Sequence, residues 1–172
     1  MNLIGLTGAK GCGKSTVAHY LKRCDPSFRV MSMAEPIRDM LEAINLSPEE
    51  LYDGKDDIIP RFERTGRRML QTLGTDWGRD MIGEDIWVNV MKDRIRNSPW
   101  DGIIIDDIRF PNEGKMIKEM GGQLIYIKRP CVENGVDTHS SEAHYMDLKH
   151  DKVLINDGTE KDFLASLDGL NI

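Results

Sequence analysis

This sequence predicts an α/β fold with a parallel sheet. Short apolar runs alternate with longer helical patterns along the chain. Several of those runs are continuously apolar rather than alternating, as strands covered on both faces must be. The first run also ends in a glycine-rich turn that opens a helix.

The strands are expected at Leu3–Leu6, Phe28–Met31, Gly102–Ile105, Leu124–Ile127 and Val153–Ile155. Crossover helices are expected over roughly 14–24, 34–45, 67–82, 84–97, 112–120 and 159–168. Ser47-Pro48-Glu49-Glu50 has the pattern of a capping box with proline at the first helical position. Thr159 suits the N-cap of the last helix, ahead of Phe163, Leu164 and Leu167. Two stretches fit neither period. Residues 53–66 hold four acidic residues and Pro60, and residues 129–145 begin with Arg129-Pro130 and contain Gly135. Long excursions of this kind in a compact domain are usually functional or moving parts.

With 172 residues, 40% hydrophobic and 30% charged, the chain suits one soluble domain that needs no staple. Lys and Arg number 23 against 29 Asp and Glu, a net charge of -6, which disfavours a broad nucleic-acid-coating surface. No apolar stretch approaches a membrane span, and the N-terminus lacks the basic region of a secretory signal. Cys12, Cys24 and Cys131 form no paired or C-x-x-C pattern, so a reducing, cytoplasmic setting is expected.

Gly8-Ala9-Lys10-Gly11-Cys12-Gly13-Lys14-Ser15 is a complete G-x-x-x-x-G-K-[ST], a phosphate-binding P-loop. Its glycines let backbone N–H groups converge on phosphate oxygens. Lys14 can reach the β- and γ-phosphates, and the Ser15 hydroxyl can ligate Mg²⁺. Thr16 follows in the first helical turn, whose positive dipole end lies under the phosphates. The chemistry expected is ATP binding. A solvated glycine-rich turn is the bland alternative, but the run follows a strand and opens a helix, as the motif demands.

A second element is Ile103-Ile104-Ile105-Asp106-Asp107-Ile108-Arg109, an apolar strand ending in carboxylates that can sit beside Mg²⁺ and its waters. Arg67, Arg68, Arg79, Arg109 and Arg129 lie at or near the excursions and strand ends. Phosphoryl transfer needs such cations, because two phosphates repel as they approach. Any one of them alone reads equally as an exposed ion pair. His139 and His144 lack the companions of a metal site. Trp77, close to Arg79, is a substrate-site candidate, while Trp87 and Trp100 read as core. No convincing general base is present. A phosphate acceptor needs none, since a phosphate monoester is largely dianionic near neutrality with its second pKa at ~6. The sequence therefore points to a kinase acting on a monophosphate.

These blocks resemble the bacteriophage deoxynucleoside monophosphate kinases of the T4 type over nearly the whole chain. Ala34-Glu35-Pro36-Ile37-Arg38-Asp39 is similar to the family's acceptor-side helix, and Arg67-Arg68-Met69-Leu70-Gln71-Thr72-Leu73-Gly74-Thr75-Asp76, followed by Trp87-Val88, is the most family-specific block. Asp107-Ile108-Arg109 resembles the family's strand-end Asp-x-Arg. Asp137-Thr138-His139 with Glu142-Ala143 resembles its lid, and Ile155-Asn156-Asp157-Gly158-Thr159 its loop beside the ATP base.

The resemblance implies a nucleoside monophosphate kinase-like P-loop NTPase fold, a three-layer α/β/α arrangement with a five-stranded parallel sheet. It makes residues 1–172 a single P-loop kinase domain, with an acceptor-binding excursion over about 34–97 and a lid over about 129–145. It implies ATP-dependent conversion of a dNMP to a dNDP, with Mg²⁺ held by Ser15 and Asp107. Lys14, Asp107, Arg109 and Arg129 would be catalytic. The phosphate loop, Arg129, Asn156 and Gly158 would hold ATP. Ala34, Arg38, Arg68, Gln71, Trp77 and Arg79 would face the acceptor, with Arg68 and Arg79 on its phosphate. The partners implied are ATP and dNMP, without a membrane or a stable nucleic-acid complex; a homodimer stands open beside the monomer. The T4-type enzymes carry a long insertion before the Arg-Arg block, where this chain has only residues 45–66. Rival readings are a P-loop NTPase switch, a P-loop kinase acting on modified bases in phage DNA, and a phosphomevalonate kinase.

Overall fold

The computed structural model describes residues 2–130 and 148–168. In chain order its elements begin with β1 (Asn2–Thr7), α1 (Lys14–Cys24), β2 (Phe28–Met31), α2 (Glu35–Glu42), α3 (Pro48–Leu51), β3 (Ile58–Ile59), β4 (Arg64–Thr65) and α4 (Gly66–Gln71). A π-helix (Thr72–Ile82), α5 (Ile86–Arg96), β5 (Gly102–Ile108), α6 (Pro111–Glu119), β6 (Gln123–Lys128), β7 (Lys152–Ile155) and α7 (Glu160–Leu167) follow. The chain divides into two compact units, Met1–Ser32 with Ser98–Ile172, and Met33–Asn97.

In the first unit all five expected strands form one parallel sheet in the order β2-β5-β1-β6-β7. The connection from β1 to β2 runs to one side of β1, and that from β5 to β6 runs to the other. Right-handed crossovers in opposite directions put α1 and α6 on opposite faces, giving the three layers. Ile103, Ile104 and Ile105 are wholly buried, as expected for a strand covered on both sides. Gly5 lies beneath α6, where a Cβ would come within 2.9 Å of Ile117. The run Val153–Ile155 is a strand too, but an edge one. Only Leu154 is buried, while Val153 and Ile155 remain about half exposed. An unbroken apolar run identified the strand without revealing its place in the sheet.

The second unit is largely helical. Leu41, Leu46, Leu51 and Ile59 form its buried cluster, with Phe62, Met69, Leu70 and Leu73 packed against them. The capping box at α3 forms as the sequence predicts. Ser47 Oγ accepts from the Glu50 N–H, and the Glu50 carboxylate accepts from the Ser47 N–H. Residues 53–66, unassigned by pattern, include a hairpin of two-residue strands, β3 and β4, too short to display a period. Gly66 starts α4 so close to the preceding chain that a Cβ would lie 1.9 Å from the Glu50 carbonyl.

The helix expected over 67–82 changes character at Thr72, from α to π. The Trp87 indole N–H donates to the Gly74 carbonyl at 2.7 Å. Gly78 gives the same ring its room, since a Cβ there would come within 2.5 Å. A side chain inserted into the backbone ladder is a usual companion of such widened turns. Arg68 and Arg79 are eleven residues apart, about three turns of a continuous α-helix and so on one face of it. Across the widened π-turns the same eleven residues fall short of three turns, and the two do not share that face.

Candidate active site

The phosphate loop connects β1 to α1, leaving the carboxyl end of a central strand where the strand order reverses, the usual place for a ligand in an open α/β sheet. Gly8, Gly11 and Gly13 have φ of 139°, 77° and 110°, a region that L side chains rarely enter. At Gly8 space is a second demand, because a Cβ would lie 2.4 Å from the Ile127 carbonyl. The first turn of α1 carries no acidic residue to neutralise its positive end, and Lys22 and Arg23 occupy the last turn.

Several of the loop's carbonyls accept hydrogen bonds. Lys14 Nζ donates to those of Gly8 and Ala9 at 2.7 and 2.8 Å. Arg129 Nη1 donates to that of Gly11 at 3.2 Å, and Asn156 Nδ2 to that of Cys12 at 2.9 Å. The Gly13 carbonyl accepts from the Val17 N–H at 3.0 Å and starts the helix. Cys12 is fully buried, and burial pushes its thiol pKa up, with nearby Lys14 only partly offsetting this. It therefore packs as an apolar side chain rather than serving as a nucleophile.

Beside the loop lies an open cavity of about 380 Å³, lined by Gly11, Gly13, Lys14, Ser15, Thr16, Arg129, Asn156, Glu160 and Phe163. Lys10, Gly8, Cys12 and Gly158 belong to the surrounding loops without lining it. Glu160 and Phe163 were not among the sequence-derived candidates. Phe163 showed only the helical spacing of a core residue, and Glu160 only a first-turn acid next to the Thr159 cap.

At the end of β5, the chain takes three residues from Ile105 to Ile108 where β1 takes two from Gly5 to Thr7. The bulge falls on Asp106 and Asp107 and re-aims them. Ser32 Oγ, just past β2, donates to Asp107 Oδ2 at 2.5 Å. Beyond the strand, the Arg109 and Phe110 N–H groups donate to the buried Glu113 carboxylate at 2.8 and 3.1 Å. Thr7 Oγ1 donates to the Ile108 carbonyl at 2.8 Å. Thr7, Glu113 and Asn156 are the buried polar residues among those described. Each braces a loop at the carboxyl edge of the sheet.

In the second unit, Ala34 begins α2 and accepts the Arg38 N–H at 3.0 Å. The Arg38 guanidinium lies over the Tyr52 ring, 4.6 Å from its centre. Arg68 faces Asp76 at 3.7 Å with both side chains more than half exposed, an arrangement too solvated to hold either firmly. Arg79 donates to the Glu84 carbonyl at 3.1 Å. Trp77 stacks at a tilt on Trp87, ring centres 6.2 Å apart, and Gln71 closes α4. Arg67 instead forms a forked pair with Asp56 and is engaged within its own unit.

The family model for deoxynucleotide monophosphate kinases matches residues 52–167 of this chain. The chain belongs to that family. A protein of Acanthamoeba polyphaga mimivirus assigned as a deoxynucleotide monophosphate kinase is 36% identical over 97% of this chain and 94% of its own length. The deoxynucleotide monophosphate kinase of Enterobacteria phage T4 is 30% identical over 64% of this chain, which covers 48% of the T4 protein. A crystal structure of shikimate kinase from Bacteroides thetaiotaomicron superposes with a TM-score of 0.55, covering 98% of this chain and 97% of that one at 12% identity. That likeness shows the fold alone.

Membership in the deoxynucleotide monophosphate kinase family makes the chain a kinase and ATP its donor. Among the site residues expected from sequence, the structure gathers Gly11, Gly13, Lys14, Ser15, Thr16, Arg129 and Asn156 around one cavity. Asp107 and Arg109 stand at and just beyond the end of β5, while Ala34, Arg38, Arg68, Gln71, Trp77 and Arg79 all belong to the other unit. Most of the expected lid, including Asp137, His139 and Glu142, lies outside the described residues. No described helix is long and apolar enough to cross a membrane.

Proposed function

We propose that this kinase transfers the γ-phosphoryl group of ATP to a free deoxynucleoside monophosphate, with donor and acceptor held by different units of the chain. One observation carries the donor half: a cavity bordered by the phosphate loop, Lys14 and the amino end of α1, with several of the loop's carbonyls already engaged. An acceptor phosphate oxygen forms the new P–O bond as the bond between the γ-phosphorus and its bridging oxygen breaks, and ADP leaves with that electron pair. The acceptor is already dianionic, so no protein base is required. The chain's work is to align the phosphates and screen their repulsion.

Lys14 supplies the cation for the donor phosphates. Ser15 and Asp107 suit Mg²⁺, because a hydroxyl and a carboxylate are the hard oxygen ligands this ion prefers, and the Ser32 hydrogen bond orients the carboxylate. When bound, the ion neutralises charge building on the phosphate oxygens. Arg109 and Arg129 serve the transferring group. Arg68 and Arg79 bind the acceptor phosphate, while Ala34, Arg38, Gln71 and Trp77 border its nucleoside.

The test is ADP release by purified protein over a panel of dNMPs, NMPs and a DNA oligomer. Turnover stimulated by one or more free dNMPs is expected. Phosphorylation of the oligomer with no response to any monophosphate would overturn the reading.

A further inference from the structure

Asn156 directly follows β7, the strand that pairs with β6, and begins the turn into α7. Its own N–H donates to the Lys128 carbonyl at 2.8 Å, which ties its backbone to the sheet. Its side chain is 5% exposed, and Nδ2 donates to the Cys12 carbonyl at 2.9 Å, across 144 residues of chain. The contact is a tight one. A Cβ on Gly13 would lie 2.9 Å from that same Nδ2 and 3.2 Å from Phe163 Cε1. The loop therefore needs glycine at this point for close approach as well as for its φ of 110°.

A trans peptide is planar, so its C=O and N–H point in opposite directions. Holding the Cys12 carbonyl toward Asn156 thereby turns the Gly13 N–H away from it. Lys14 and Arg129 fix other loop carbonyls, but both are cations that a triphosphate would recruit. Asn156 is neutral and buried, and its backbone is tied to the sheet. Its hold on the loop therefore persists whether or not phosphates are present.

We infer that Asn156 is a positioning residue for the phosphoryl donor, clamping the Cys12–Gly13 peptide so that its N–H serves the phosphates, and that it does not read the base. This rests on the donor-site reading above and reassigns the residue from the base loop to the phosphate loop. The amide must donate, so a side chain of similar size without a donor loses the function even if the strand end is kept.

The experiment measures calorimetric binding of Mg²⁺–ATP and of inorganic tripolyphosphate, with kcat/KM for ATP and CTP as donors, in wild type, Asn156→Leu and Asn156→Asp. Removal of the hydrogen bond is expected to weaken ATP and tripolyphosphate by the same factor, roughly tenfold, and to lower kcat/KM equally for both donors. Asn156→Asp carries a donor only when protonated, so its kcat/KM relative to wild type should rise as the pH is lowered toward 5. That profile serves even if Asn156→Leu fails to fold, and a ratio flat with pH would overturn the inference. So would tripolyphosphate binding at wild-type strength with weakened ATP, the signature of a base contact. Wild-type protein that bound neither ligand would instead overturn the donor-site reading.

Discussion

Ser32 Oγ donates to Asp107 Oδ2, joining the ends of the neighbouring parallel strands β2 and β5. The bond holds one carboxylate oxygen and orients the other. Asp107→Asn should reduce turnover and raise the Mg²⁺ concentration needed for half-maximal rate, because it removes the charge while keeping the shape. Ser32→Ala should weaken apparent Mg²⁺ affinity by about tenfold, as loss of a partner behind a metal ligand commonly does. Asp106→Asn should be milder than Asp107→Asn. Mg²⁺ titrations of initial rate check all three, and greater sensitivity at Asp106 would reverse the assignment.

Lys14 should matter far more to turnover than to folding. Its contacts are to two carbonyls and the Cys12 sulfur of its own loop, and its side chain is only half-buried. Lys14→Ala should lower kcat/KM by at least ~10³, the cost of losing a preorganised cation on the phosphates, with little change in Tm. Steady-state kinetics beside thermal unfolding separates the two effects.

Arg68 faces Asp76 in a solvated pair, and Arg79 donates to the Glu84 carbonyl. An incoming phosphate dianion can displace both. Arg68→Ala and Arg79→Ala should each raise the dNMP KM by much more than the ATP KM. Initial rates with each substrate varied in turn check this, and equal rises in both constants would remove these arginines from the acceptor site.

The Arg61 guanidinium forks onto the Glu50 carboxylate at 2.6 and 2.7 Å and holds its pKa down to about 2, with the Ser47 N–H assisting. A carboxylate lowered in the folded state stabilises fully above its unfolded pKa and loses that contribution as pH falls through the folded value. The Tm advantage of wild type over Glu50→Gln should therefore be constant above about pH 5 and shrink as the pH falls toward 2. Melting curves across that window, with both proteins folded at each pH, provide the check.

Trp87 and the two glycines it touches should be sensitive to change. Trp87→Phe leaves the Gly74 carbonyl without its indole donor and should cost about 1–3 kcal/mol. Gly78→Ala drives a methyl into the indole and should cost roughly 1–3 kcal/mol. Urea unfolding of each variant measures the losses. Wild-type stability in Gly78→Ala would mean that the ring can shift.

The sequence alone determined the sheet, the phosphate loop and the family. A parallel strand buried on both faces must be continuously apolar, as Ile103–Ile105 is, and a backbone that wraps phosphates must have glycine at Gly8, Gly11 and Gly13. These are local demands, written in consecutive residues. The caps at Ser47 and Thr159 were legible for the same reason, since donor and acceptor lie three residues apart. The structure alone decided what depends on residues distant in the chain. The π-turn at Thr72 follows from an indole thirteen residues beyond its acceptor at Gly74. The exposure of Val153 and Ile155 follows from an edge position that no periodicity encodes. Asn156 looked like part of a base-side loop until folding set its amide on the Cys12 carbonyl, 144 residues away. A hydrogen bond between groups so far apart leaves no spacing to read, because only the packing of β6, β7 and α7 brings them together.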